Sequence, residues 1–147
     1  MTIVQRVARI SGWGFVVMAI WGGVVVGTSM VSDPAFAPRL WGLFPINFPH
    51  NLVHLGFGLW GLNAAGSIGR SRVYASVAGA AYLVLAGLGL VAPSMFGLMP
   101  IGGNDVWLHA LLAIVLLGAA GTASRRPDGK EAPPPPGRTG DAQGRAP

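Results

Sequence analysis

Cysteine is absent from the 147-residue chain, and charged residues make up only 10% of it. Without a thiol, the chain cannot form a disulfide, use a thiolate nucleophile or hold an iron–sulfur cluster. The sequence also lacks a phosphate-binding loop, paired carboxylates and a serine–histidine–aspartate set. The residues of a common hydrolase or transferase site are therefore missing, and we expect a protein that is not an enzyme.

Hydrophobic residues take the place of the missing charges and make up 52% of the chain. A soluble domain of this length could bury only part of that apolar surface. Four runs without Lys, Arg or Glu are long enough to cross about 30 Å of hydrocarbon as helices. They cover residues 10–31, 49–68, 73–92 and 104–123. We therefore predict an all-α membrane protein in which residues 1–123 form a four-transmembrane-helix bundle in a lipid bilayer.

The basic residues give a net charge of +5, but their positions do not indicate a nucleic-acid partner. All of them except Arg39 lie before the first run, between the second and third, or after the fourth. In a four-span chain, these segments share one side of the membrane. The positive-inside rule then predicts a multi-pass protein of the inner (plasma) membrane with both termini in the cytoplasm.

Residues 124–147 differ from the rest of the chain because they are rich in Pro, Gly and charge. They contain no large apolar side chain, so they cannot bury enough surface to offset the entropy of ordering them. We predict a disordered cytoplasmic tail.

An internal repeat relates two parts of the chain at an offset of 55 residues. When residues 37–66 are aligned with 92–121 without gaps, eleven of the 30 positions are identical, including His54 with His109. Each copy contains a hydrophobic loop with a GL-x-PI block, followed by a predicted helix. The repeat predicts two similar hairpins related by a pseudo-two-fold axis along the membrane normal.

Polar side chains lie at the outer starts of the second and fourth predicted helices. At helical spacing, they share one arc with mostly small residues deeper in the membrane, which is typical of surfaces where helices pack closely in lipid. The first arc contains His50, His54, Gly58, Gly61 and Ala65, and the second contains Asp105, His109, Ala113, Leu116 and Ala120. We therefore expect the imidazoles to face protein and not acyl chains.

The sequence favours a packing role for these polar residues, because an unpaired polar group in hydrocarbon costs several kcal/mol. In this interpretation, His54 and His109 form a hydrogen bond across the pseudo-axis. The side chains of Asn51, Asn104 and Asp105 cap the helix starts. The polar cluster would then join the second and fourth helices in a non-catalytic structural or partner-binding module.

A transition-metal site is the alternative interpretation of the same residues. His50 and His54 are four residues apart, the spacing with which two histidines on a helix bind one ion, and Asp105 and His109 repeat that spacing. If the repeat brings the pairs together, His50, His54, Asp105 and His109 would suit Zn²⁺, Cu²⁺ or Ni²⁺. A haem held by His54 and His109 is a further alternative, and the sequence itself identifies no cofactor.

Two blocks give the chain a resemblance to a known family. Asn47, His50, Asn51 and His54 fit an N-x-x-H-N-x-x-H block, and Asn104, Asp105 and His109 fit an N-D-x-x-L-H block. Over residues 12–121, the chain resembles a bacterial membrane family known only as domain of unknown function 4383. The resemblance implies four spans and draws attention to the polar cluster, but it implies no activity. The partner could be another membrane protein or a second copy of the chain.

Overall fold

The structure is a computed structural model that describes residues 1–123, so the predicted tail at 124–147 lies outside the described residues. Helices dominate the described part. In chain order they are α1 (Ile3–Val26), α2 (Phe48–Ala64), α3 (Ile68–Val91) and α4 (Asn104–Ala123). A short 3-10 helix covers Met95–Gly97, and a small antiparallel hairpin is formed by β1 (Arg39–Leu40) and β2 (Phe44–Pro45). The predicted all-helical architecture is confirmed.

Three of these helices, α1, α3 and α4, are long and apolar enough to cross a membrane. The remaining helix, α2, has 17 residues, which correspond to about 26 Å at 1.5 Å per residue. The chain is thus an all-helical protein with membrane-capable helices.

The first helix begins earlier than residue 10 because a cap precedes it. The side chain of Gln5 accepts a hydrogen bond from the backbone N–H of Thr2 at 3.0 Å, an interaction typical of a capping box. Arg6 and Arg9 therefore lie within α1, with exposed side chains. The helix ends at Val26, before Gly27 with its φ of 54°. Hydrophobicity identifies the apolar segment of the helix, whereas the cap and the glycine determine the residues at which the helix begins and ends.

A second cap shifts the boundary between α2 and α3. The Ser67 side chain accepts a hydrogen bond from the backbone N–H of Arg70 at 3.2 Å, so α3 begins at Ile68 and not at residue 73. For the same reason, α2 ends at Ala64 and not at residue 68. The fourth helix, Asn104–Ala123, has the predicted bounds.

Long-range hydrogen bonds identify the two ends of the bundle. At one end, Gln5 Nε2 donates to the carbonyl of Ala65, which places the start of α1 beside the turn between α2 and α3. At the other end, Asn104 Nδ2 donates to the carbonyl of Leu43 in the loop between α1 and α2. Each helix therefore runs between the same two ends, and the polar starts of α2 and α4 share one of them.

Close packing of backbone against backbone joins α1 to α2. A Cβ atom added at Gly58 would lie 2.9 Å from the backbone nitrogen of Val16 and 3.0 Å from the carbonyl oxygen of Gly12. In the other helix pair, a Cβ at Gly79 would lie 2.8 Å from Cγ of Leu117. Small residues are what permit such close approach between helices in lipid.

The two loops at the polar end have matching backbone conformations. Trp41 and Phe96, which are 55 residues apart, have φ angles of 49° and 58°, and each is followed by a glycine with positive φ. Ile46 N donates to the Pro38 carbonyl at 2.8 Å, and the equivalent bond from Ile101 to Pro93 has the same length. Both loops fold back onto the bundle, because the two isoleucines are buried.

Candidate functional site

The predicted polar residues come together at the shared end of α2 and α4. His50 and His54 lie one turn apart on α2, and Asp105 and His109 lie one turn apart on α4. Their exposed fractions are 5%, 7%, 2% and 1%, respectively. The side chains thus face protein, in agreement with the arcs read from the sequence. The small residues that continue both arcs are also buried.

Three of the four side chains form a compact group. Nδ1 of His50 lies 3.8 Å from Oδ2 of Asp105. His109 completes the group, in which one ligand atom from each residue lies within 4.8 Å of the others. Two helices supply the donors, so the group exists only when α2 and α4 are docked. We refer to His50, Asp105 and His109 as the triad.

Polar atoms of the triad lack hydrogen-bond partners. Within residues 1–123, the buried atoms Nδ1 of His50, Oδ2 of Asp105 and Nδ1 of His109 have no such partner. A buried polar atom without a partner costs about 1–3 kcal/mol, so several together need an explanation. The triad therefore differs from a packing cluster, in which each buried polar atom would have a hydrogen-bond partner.

His54 takes a different position from the one expected. It lies outside the triad, and its buried Nδ1 also has no hydrogen-bond partner among residues 1–123. Its ring stacks on Phe15 of α1, with centroids 5.8 Å apart and an angle of 13° between the planes. The expected hydrogen bond between His54 and His109 does not occur among the described residues. The two imidazoles are instead held by aromatic neighbours on different helices.

The aromatic neighbour of His109 is Tyr82 of α3, whose ring centroid lies 5.3 Å from that of the imidazole. The described residues also offer no hydrogen-bond partner to the buried Tyr82 hydroxyl.

Asparagines make the hydrogen bonds that hold this end of the bundle together. Asn51 does not cap α2 as expected: its Nδ2 donates to the carbonyl of Ala19 on α1 at 2.9 Å. The cap is Asn47, whose Oδ1 accepts from the backbone N–H of His50 at 3.0 Å. Asn104 uses its side chain to reach Leu43 in the other loop and not to cap α4.

Asn47 is the residue that the helix-cap expectation overlooked. Its Nδ2 also donates to the carbonyl of Leu98 at 2.9 Å, so one buried side chain caps α2 and joins the two loops. Asparagine followed closely by Pro49 is a start signal for a helix, and that signal was present in the sequence.

A cavity of about 360 Å³ lies beside the triad. Its polar lining comes from the three histidines and Asp105, with Ser11 deeper in the bundle, and the other walls are apolar. The apolar walls come from α1, α4 and the β1–β2 hairpin, and include Phe15, Met18, Leu40, Leu108 and Leu112. A volume of this size is at the small end of the range of ligand sites, about 300–1,000 Å³.

Comparison with protein families establishes how the chain is related to others. Residues 5–121, nearly the whole described part, match the family described as Domain of unknown function (DUF4383). The chain belongs to the DUF4383 family. The resemblance carried by the two polar blocks is thus confirmed. No curated protein and no solved structure matches the chain. Membership of DUF4383 specifies no activity.

The three side chains of the triad have the chemistry of metal ligands. Two imidazoles and one carboxylate are a common set of protein ligands for zinc, and they leave a fourth tetrahedral position open. Donors about 2.0–2.2 Å from one tetrahedral ion are separated by roughly 3.4 Å. Atoms that now lie within 4.8 Å of one another would need to approach by up to about 1.4 Å.

Proposed function

We propose that this DUF4383 protein is a non-catalytic membrane protein that binds one transition-metal ion through His50, Asp105 and His109. The observation that carries the proposal is the convergence of three buried donor side chains, each with a polar atom that has no hydrogen-bond partner among the described residues. A bound cation would satisfy these atoms together. His54, which the sequence placed with the other ligands, is left outside the set.

The chemistry of the donors limits which ion the site would accept. Imidazole nitrogens favour Zn²⁺, Cu²⁺ and Ni²⁺, and the single carboxylate is too few for a Ca²⁺ or Mg²⁺ site. Asp105 lies in the first turn of α4, where the helix dipole favours its negative charge. The same charge offsets part of the charge of a divalent ion in an apolar environment.

Elemental analysis of the purified protein tests the proposal. The protein is treated with a chelator, incubated with Zn²⁺ and separated from free ion. We expect about one zinc per chain in the unmodified protein, and loss of zinc in His50→Ala and Asp105→Asn. His54→Ala is the matched control and should retain zinc. Equal zinc in all variants, or none in the unmodified protein, would overturn the proposal.

A structural role is the second candidate, and the asparagine hydrogen bonds favour it. Asn47, Asn51 and Asn104 each join elements that are distant in the sequence. In this account, the imidazoles pack the helix interface and the protein serves as a structural or partner-binding module. Thermal unfolding in detergent without metal distinguishes the two roles. His54→Ala and His109→Ala should both lower the midpoint if packing is the role, whereas unchanged midpoints would contradict it.

The membrane arrangement that we propose has four spans, with both termini in the cytoplasm of a bacterial plasma membrane. The bond from Gln5 to Ala65 supports it, because the start of α1 then lies at the end of the bundle that carries Arg70 and Arg72. The matching loop hydrogen bonds at an offset of 55 residues support two similar hairpins. Besides the bilayer, the partner would be another membrane protein or a second copy of the chain.

A further inference from the structure

The cavity beside the triad has features that a metal site alone does not need. Along α1, its wall extends from Met18 to Ile10, a distance of about 12 Å. The wall on α4 extends from Asp105 to Leu112, about 10 Å. The cavity is thus elongated along the helices, with its histidines and its aspartate concentrated at the end formed by the loops and helix starts.

The sides of the cavity reach the surface between α1 and α4. Ile10 and Gly14 on the α1 side are exposed, and Leu108 and Leu112 on the α4 side are half-buried. In a bilayer, this surface would face acyl chains, so a lipid-soluble molecule could enter from the side. A lining of apolar side chains would accommodate its hydrocarbon chain.

His54 supplies a polar contact that the triad does not use. It lines the cavity and is 7% exposed, and the described residues offer no hydrogen-bond partner to its buried Nδ1. A neutral imidazole nitrogen either donates or accepts, and a hydroxyl group can match it in both cases. In the protein without metal, a carboxylate head would lie beside Asp105, and no Lys or Arg is among the described residues that line the cavity to pair with it. A buried charged head would also lose its hydration.

We propose that the cavity binds a single-chain lipid with an uncharged, hydroxyl-bearing head. The hydroxyl group hydrogen-bonds to His54, and the chain lies between α1 and α4 against Phe15, Met18 and Leu112. The site shares His50, Asp105 and His109 with the proposed metal site, and the preference for an uncharged head applies to the protein without metal. Selectivity comes from the head group, because the apolar walls accept any chain of suitable length.

Photolabelling in lipid vesicles tests the proposal with a series of matched probes. A dodecanol that carries a diazirine in its chain is added to chelator-treated protein in phosphatidylethanolamine–phosphatidylglycerol vesicles, and labelled residues are located by mass spectrometry. We expect labels on the cavity side of α1 and α4. Unlabelled dodecanol should compete about ten-fold better than dodecane or dodecanoate. Equal competition by all three compounds would overturn the proposal.

Two tryptophan variants on α4 separate the cavity from the lipid surface. Leu112→Trp places a large side chain in the cavity, and labelling of α1 should fall about ten-fold. Leu111→Trp is the control, because Leu111 is 57% exposed and does not line the cavity. Labelling of α1 in this variant should equal labelling of α1 in the unmodified protein. Labelling that is the same in both variants, or that is spread over lipid-facing positions such as Leu111, would contradict a cavity site.

His54→Leu tests the head-group contact directly. The preference for dodecanol over dodecane should disappear, while labelling by a diazirine-bearing alkane continues. Should this variant fail to fold, as judged by size-exclusion chromatography in detergent, the probe series and the Leu112→Trp comparison still decide the proposal. A His54→Leu protein that folds and keeps its preference for the alcohol would overturn the role of His54.

Discussion

Nδ1 of His50 lies 3.8 Å from Oδ2 of Asp105, and neither buried atom has a hydrogen-bond partner in the part of the chain that the structure describes. The two residues come from different helices and have no sequence proximity. The distance is too long for a hydrogen bond but short enough for two ligands of one ion after a small rotation. Asn47, in contrast, uses both its side-chain oxygen and its side-chain nitrogen in hydrogen bonds. Its side chain joins parts of the bundle, whereas these atoms of His50 and Asp105 are available to bind.

The membrane arrangement can be tested by cysteine labelling, because the natural chain has no cysteine. We expect Ala35→Cys to react with a membrane-impermeant thiol reagent in intact spheroplasts. Gly69→Cys should react only after the membrane is opened, because α2 lies between the two positions. Both positions are exposed in the structure. Reaction of both residues in intact spheroplasts would show that α2 does not cross the membrane.

Helix packing between α1 and α2 predicts different effects for two glycines on the same helix. Gly58→Ala should destabilise the protein by about 1–3 kcal/mol, because the new Cβ would contact the backbone of α1. Gly56→Ala is the control, since nothing lies within 4 Å of a Cβ at that position. Thermal or denaturant unfolding in detergent measures the difference. Equal stability of the two variants would contradict the close approach of α1 and α2.

Asn47 predicts a stability effect at the polar end of the bundle. Asn47→Ala removes the cap of α2 and the hydrogen bond to Leu98, and should lower the free energy of unfolding by about 1–3 kcal/mol. The control is Asn63→Ala, because Asn63 is exposed and bonds only to the exposed Arg70 among the described residues. That change should stay within about 0.5 kcal/mol. A similar loss in both variants would mean that Asn47 has no special role.

The sequence predicted the helical architecture and the buried arcs because hydrophobicity and helical spacing decide both. Helix ends were predicted less well, since a few polar contacts set them: Gln5 with Thr2 at the start of α1, and Ser67 at the start of α3. These contacts extend α1 and α3 beyond their most hydrophobic segments. The family resemblance identified the polar blocks but could not say which side chains meet.

Which residues belong to the triad depends on the three-dimensional arrangement of the side chains. The spacing of residues along the sequence does not determine that arrangement. His54 and His50 have the spacing of a metal-binding pair, yet Phe15 holds the His54 ring outside the group. The cavity could not be predicted either, because it lies between α1 and α4, whose relative position no motif specifies. What the sequence did indicate was the end of the bundle at which the polar groups would lie.

X-ray absorption at the zinc edge is the most direct test of whether His50, Asp105 and His109 bind one ion. For the zinc-loaded protein we predict two imidazole nitrogens at about 2.0–2.1 Å and a carboxylate oxygen at about 2.0–2.2 Å. The His54→Ala spectrum should be unchanged, and the His109→Ala spectrum should show fewer imidazole ligands. A spectrum with only oxygen ligands, or one that is the same after loss of His109, would contradict the account.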